Sequence, residues 1–153
     1  HGAVVASGQH TTITGERGRT MTFIPAKDLE WTDFEWGALG WVTRPANVPE
    51  ATAFCCLDVR LDPGEGHDFH THPSQQEIIF VRTGTVEQWV GTESMELTAG
   101  DTCFVPANMV HASFVAAGGP PAQMFVVMSP SHGADGYEAV DVASEEPWRS
   151  LRS

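Results

Sequence analysis

Four side chains in this sequence have the types and spacing to gather around one metal ion: His70, His72, Glu77 and His111. His70 and His72 are two apart, so on a strand they project from the same face with Cα atoms about 7 Å apart. Pro73 to Gln76 is turn-like, and a hairpin there would return Glu77 to the side of the histidines. Mixed imidazole and carboxylate ligands suit Fe(II), Mn(II), Ni(II) or Zn(II), so one divalent transition-metal ion per chain is expected. A structural zinc site usually fills its four positions with Cys and His. Here a six-coordinate ion would keep two positions free for water, substrate or dioxygen, which favours catalysis. Glu77 is then both a ligand and a candidate for moving a proton. The other histidines read differently. His1, His10 and His132 are lone residues, more often structural than ligating. His67 lies three residues before His70 and on a regular strand would face the opposite way.

The elements that must position these residues are short strands broken by Gly and Pro. Ala53 to Leu61 ends at Asp62-Pro63-Gly64. Asp68 to His72 and Glu77 to Arg82 follow as a pair, then Val86 to Val90, Ser94 to Leu97 and Thr102 to Val105. His111 to Ala116 and Gln123 to Met128 close the series. Such spacing predicts an all-β sandwich or closed barrel.

The pattern around the candidate ligands resembles the cupin family. Its first motif runs Gly, five residues, His-x-His, three or four residues, Glu, six residues, Gly; Gly64, His70, His72, Glu77 and Gly84 meet every position. The second runs Gly, five residues, Pro-x-Gly, two residues, His, three residues, Asn. Gly100, Pro106 and His111 match, while Asn108 replaces the usual Gly and Val115 the usual Asn. Asn is the residue after Gly that best tolerates positive φ, so Asn108 is a mild departure. The resemblance implies a double-stranded β-helix, or jelly-roll, barrel as a single cupin domain. It also implies a homodimer, since many cupins pair, and exposed sheet faces are often covered by a second copy. It says little about the reaction, because one scaffold hosts many chemistries.

One domain is expected overall. Residues 1–50 read as an N-terminal extension with edge strands, 51–130 as the barrel core, and 131–153 as a tail pinned back by Trp148. Trp31, Trp36 and Trp41 cluster in Leu29 to Trp41, as edge packing, an aromatic wall over the site or a dimer contact. The formal net charge of −12 argues against nucleic acid and anionic membrane surfaces as partners. No apolar run reaches the ~20 residues of a membrane helix. Residues 1–20 show no secretory signal pattern. Cys55, Cys56 and Cys103 are odd in number and read as small buried residues in a reducing compartment, the cytoplasm, with a pocket thiol at Cys103 as the sharper reading.

Alternation from Glu77 and from His111 places Ile79, Val81, Ser113 and Val115 on the ligand side, as the expected substrate pocket. One face of Gln123 to Met128 completes it, either Met124, Val126 and Met128 or Gln123, Phe125 and Val127. Arg60 and Arg82 would anchor an anion only if the strand phase shifted. This mainly apolar pocket suits an aromatic or short-chain organic small molecule better than a phosphorylated sugar. No catalytic triad, dinucleotide fingerprint or P-loop is present. Three functions fit: a metal-dependent oxidoreductase of dioxygenase type acting on an electron-rich diol, enol or diketone; a non-redox isomerase, lyase or cyclase; and a small-molecule binding or sensor protein without turnover.

Overall fold

The computed structural model describes residues 4–7, 10–14 and 20–152, with side chains from residue 22 onward. The readings of His1 and of the His10 side chain lie outside the described residues. The N-terminal strands β1 (Val4–Ser7), β2 (His10–Thr14) and β3 (Thr20–Phe23) form a small antiparallel sheet of their own. Thereafter come β4 (Trp31–Phe34), β5 (Gly37–Thr43), β6 (Cys55–Leu61), β7 (Gly66–Thr71), β8 (Gln76–Thr83), β9 (Thr85–Val90) and β10 (Glu93–Thr98). They are followed by β11 (Thr102–Val105), β12 (His111–Val115), β13 (Ala122–Ser129), the short β14 (Val140–Asp141) and one helical turn, α1 (Trp148–Leu151). The strands assemble into a six-stranded sheet ordered β11-β8-β13-β6-β5-β4 and a five-stranded sheet ordered β10-β9-β12-β7-β14. All pairings are antiparallel, and from β6 onward the chain passes from sheet to sheet at every step except the β9–β10 hairpin, as in a jelly roll.

Alternation builds the core. On β8, Glu77, Ile79 and Val81 are buried while Gln76, Ile78, Phe80 and Arg82 are exposed. On β13 the buried set is Met124, Val126 and Met128, which decides between the two phases left open by the sequence. These side chains meet Leu57, Val59 and Leu61 of β6 and Val86, Val105 and Val115 across the barrel. A second cluster, on the far side of the five-stranded sheet, joins Phe69, Ala112 and Phe114 to Trp89 and Trp148. The Trp148 ring lies 5.7 Å from that of Phe69, which pins the tail to the barrel.

Turn chemistry sets where the ligands emerge. Gly84 turns β8 into β9 at φ 77°, and Asn108, before β12, adopts φ 61°. Asn108 thus takes the left-handed conformation for which glycine is the commoner choice. The tryptophan segment turns mostly inward: Trp41 is buried, the Arg60 guanidinium covers Trp31, and Trp36 stacks on His67. It therefore offers little free indole surface for a dimer contact. Among the described residues no helix is long and apolar enough to cross a membrane.

Candidate metal centre

The three histidines arrive from two strand ends. His70 lies near the end of β7, His72 just beyond it, and His111 opens β12, directly opposite His70 in the ladder. Each ring is held by its Nδ1 against a backbone carbonyl: His70 on Asp68 O at 2.6 Å, His72 on Glu138 O at 2.6 Å, and His111 on Met109 O at 3.0 Å. A carbonyl can only accept, so Nδ1 carries the proton in all three rings and the Nε2 lone pair is left free. That is the tautomer a metal requires, with the outer hydrogen bond fixing ring orientation. One ligand atom from each of the three lies within 4.8 Å of the others, and all three residues are buried. The group fits a metal site.

Glu77 enters from β8. Its Oε2 stands 2.7 Å from His111 Nε2 and 3.3 Å from His72 Nε2. The first separation is short enough for a hydrogen bond, yet the alignment is not that of one. Glu77 Oε2 and His111 Nε2 both remain buried without a hydrogen-bond partner. Leaving two buried polar atoms unpartnered is costly, and a cation accepting both lone pairs removes the cost. The spacing agrees, since neighbouring ligands about 2.1 Å from an octahedral ion lie about 3 Å apart.

Burial and mutual charge tune the group. Burial raises the Glu77 carboxyl, but the facing His111 and His72 outweigh it and hold the group well below the usual carboxylate range. For His111 burial acts downward, and Glu77 overrides it and lifts the imidazole above its ordinary value. His70 is pushed well below its ordinary value by burial and by the neighbouring histidines.

The ligands open onto a cavity of about 30 Å³. Ile79 and Ser113 line it, together with Met124, Val126 and Met128 of β13. Val81 and Val115 share those inward faces but sit deeper, among the core side chains rather than in the lining. Each is two residues further along its strand, about 7 Å, and so beyond the end of this small space. Arg60 and Arg82 stay outside: Arg60 covers Trp31, and Arg82 pairs with Asp58 at 2.9 Å. Cys103 is also absent from this lining, and burial pushes the Cys55 thiol up to about 12.

Two cavity residues escape a reading by alternation. His67 lines the cavity and stacks on His70 with ring centroids 3.8 Å apart. The strand is irregular there: His111 pairs with His70, but Ser113 pairs with His67, so three steps on β7 match two on β12. This bulge puts His67 on the ligand face. Gly66 is its only local signal, since a Cβ at that position would come within 2.5 Å of Ser113 O. Burial lowers the His67 imidazole to about 4. The second residue is Tyr137, whose ring approaches His72 at 6.0 Å from the segment after β13. Nothing near Tyr137 in the sequence signals that approach.

Residues 57–128 match the model of the cupin domain. The chain contains a cupin domain. This cupin is 31% identical over 70 residues to an oxalate decarboxylase of Arthroderma benhamiae, a match covering 42% of this chain and 16% of that one. It is 28% identical over 107 residues to the polyketide synthase CurC of Streptomyces cyaneus, covering 70% and 68% of the two chains. The chain spans 16% and 26% of the length of two such oxalate decarboxylases. Among solved structures, KdgF from Halomonas sp. superposes with a TM-score of 0.62 at 22% identity, covering 72% of this chain and 95% of that one. An oxalate decarboxylase of Bacillus subtilis superposes with a TM-score of 0.68 at 21% identity, covering 84% and 33%. These structural likenesses concern the jelly-roll fold. Fold and three-histidine group together make this a metal-binding cupin.

Proposed function

We propose that this cupin is a metal-dependent enzyme that holds one divalent transition-metal ion on His70, His72, Glu77 and His111 and acts on a small monoanionic chelating substrate. The observation that carries the reading is the gathering of three buried imidazoles with free Nε2 lone pairs, two of which, on His72 and His111, face Glu77 Oε2 at 3.3 and 2.7 Å. Three neutral imidazoles and one carboxylate leave a divalent ion with one net positive charge, and no Lys or Arg lines the cavity. One negative charge on the substrate balances this, which favours a hydroxy or keto acid, an enol or a diketone over a phosphate ester.

When bound, the ion supplies Lewis acidity that polarises a carbonyl or carboxylate oxygen. The chain supplies the remainder. Ile79, Met124, Val126 and Met128 exclude bulk water from the chelating head of the substrate. His67, neutral at physiological pH and at the cavity wall, is placed to accept a proton from a carbon beside the polarised group. Glu77, strongly ionised, is a weaker base and serves mainly to hold the ion. This proton-transfer arrangement supports lyase or isomerase chemistry, and the relatives named as decarboxylases favour the same class. A dioxygenase is the second reading, favoured by the apolar walls. As to the metal, one solved relative, the oxalate decarboxylase of Bacillus subtilis, is described with Mn(II) centres, which puts Mn(II) first in reconstitution trials.

The test is metal analysis of protein purified without chelators, followed by assay of keto acids, enols, diketones and oxalate with and without oxygen. Turnover that proceeds anaerobically supports the lyase or isomerase class. Turnover only with stoichiometric oxygen uptake would transfer the assignment to the dioxygenase class.

A further inference from the structure

Beyond the metal site lies a second cavity, larger than the first. It measures about 430 Å³, against about 30 Å³ for the cavity at the ligands. It opens where β10, the edge of the five-stranded sheet, faces β11, the edge of the six-stranded one; these two edges are not hydrogen-bonded to each other. Its walls include Val90, Met95, Leu97 and Phe104, with Gln88 and Cys103 facing inward.

Only one layer of residues separates the two spaces. On one side, Ile79 pairs with Cys103 across β8 and β11, and Ile79 lines the metal-site cavity while Cys103 lines the second. On the other, Ser113 pairs with Gln88 across β12 and β9, again with one residue in each cavity. The Ser113 hydroxyl donates to Gln88 Oε1 at 2.6 Å, closing the partition with a single side-chain hydrogen bond. Among the described residues, the other side-chain hydrogen bond of the Gln88 amide runs from Nε2 to Trp89 O.

We infer that the cavity between β9, β10 and β11 receives the apolar body of the substrate whose chelating head binds at the metal centre. The inference rests on the proposed function and deepens it. A space of about 30 Å³ accepts little more than a water-sized group, whereas ligand pockets typically measure about 300–1,000 Å³. The second cavity falls within that range and lies one residue layer from the ligands, Val90 on its wall pairing with His111 across β9 and β12. Its lining is mixed: Val90, Met95, Leu97 and Phe104 are apolar, Glu93, Ser94 and Thr102 are polar, and the neutral Gln88 bonds across the partition to Ser113. The matching substrate has a monoanionic O,O-chelating head joined to an uncharged ring or short branched chain. An anionic tail would gain no partner beside Leu97 and Phe104 and would be repelled by the acidic Glu93.

Two hydroxamates with the same head test this on the zinc-loaded protein. Acetohydroxamate carries only a methyl group, and benzohydroxamate carries a phenyl. Calorimetry should show benzohydroxamate binding about tenfold tighter or better, from burial of the ring. Met95, exposed on β10, is a safe place to fill the cavity. Met95→Trp should collapse the affinity ratio toward one, and Met95→Leu should retain it. Benzyl alcohol, a poor chelator, reads the cavity without the ion: amide shifts confined to β9–β11, lost in Met95→Trp, support the inference. An affinity ratio near one in the unaltered protein, or a ratio untouched by Met95→Trp, overturns it. If neither hydroxamate binds, the metal-centre reading fails, and the benzyl alcohol shifts alone decide whether the cavity takes an apolar group.

Discussion

His67 lies flat against His70, ring on ring at 3.8 Å, although they stand three positions apart on the strand. On its other side the His67 ring stacks on Trp36 at 4.7 Å, so it is clamped at the cavity wall. A residue so held can move a proton without itself being a ligand. His67→Gln should leave metal content at one ion per chain and lower turnover by about a hundredfold, the usual scale for losing a general base. His67→Phe, which keeps the stacking, should behave alike. Loss of metal from both variants would show that His67 belongs to the binding set instead.

The ligand set predicts a steep loss of metal on truncation. His72→Ala should weaken binding strongly, and His70→Ala with His72→Ala should abolish it, as read by elemental analysis after dialysis. Because the ion binds only the folded chain, a free concentration a thousandfold above its dissociation constant should add about 4 kcal/mol of stability. Full metal content in the double variant would refute the assignment.

Acidity should act on this site in a defined direction. His67 and His70 have folded-state values below that of the unfolded chain, so below about pH 6.5 the unfolded chain takes up protons that the fold refuses. Stability of the chelator-treated protein should therefore fall from about pH 6.5 downward, the His67 part running to about 4. Glu77, held low, adds a further loss as pH falls below the usual carboxylate range. His111 is raised and has the opposite sign: its contribution is complete below about pH 6.5 and fades as pH rises through its folded value. Urea denaturation at pH 7.5, 6 and 5 measures the balance. Metal uptake near neutrality should also release protons from His111, visible by calorimetry in two buffers of different ionisation enthalpy.

Gln75 holds the segment that backs His72. Its Nε2 donates to Pro130 O at 2.7 Å and Gly136 O at 2.9 Å, and Glu138 N–H donates to its Oε1 at 2.9 Å. Glu138 O is in turn the acceptor that orients His72. Gln75→Ala should cost about 3 kcal/mol of stability, since it strands buried backbone groups, and should also weaken metal binding. Unchanged metal affinity at reduced stability would separate the two roles.

Association should use the outer face of the six-stranded sheet. Ile78 faces Phe104, and Phe80 faces Phe125, and the first three of these are exposed. We expect a dimer by light scattering at micromolar concentration, and Phe80→Asp to shift it toward monomer. A monomeric parent protein would dispose of this expectation.

Much of the molecule was written locally. Alternation alone placed Glu77, Ile79 and Val81 on the inner face of β8, because the side-chain period of a strand is two and one face must be buried. The spacing of His70, His72 and His111 pointed to the three-histidine group for the same reason, and Asn108 at a turn announced its positive φ. Three things needed the assembled barrel. The bulge that turns His67 inward depends on pairing with β12, which nothing in the 67–70 stretch specifies. Tyr137 and Glu138 O reach His72 from 65 or more positions away, through a loop whose path is set by Gln75 and packing. The second cavity exists because β10 and β11, edges of different sheets, come face to face without bonding. Periodicity is a property of one strand and can be read along it; register, loop path and empty space are properties of how strands meet, and tertiary packing alone decides them.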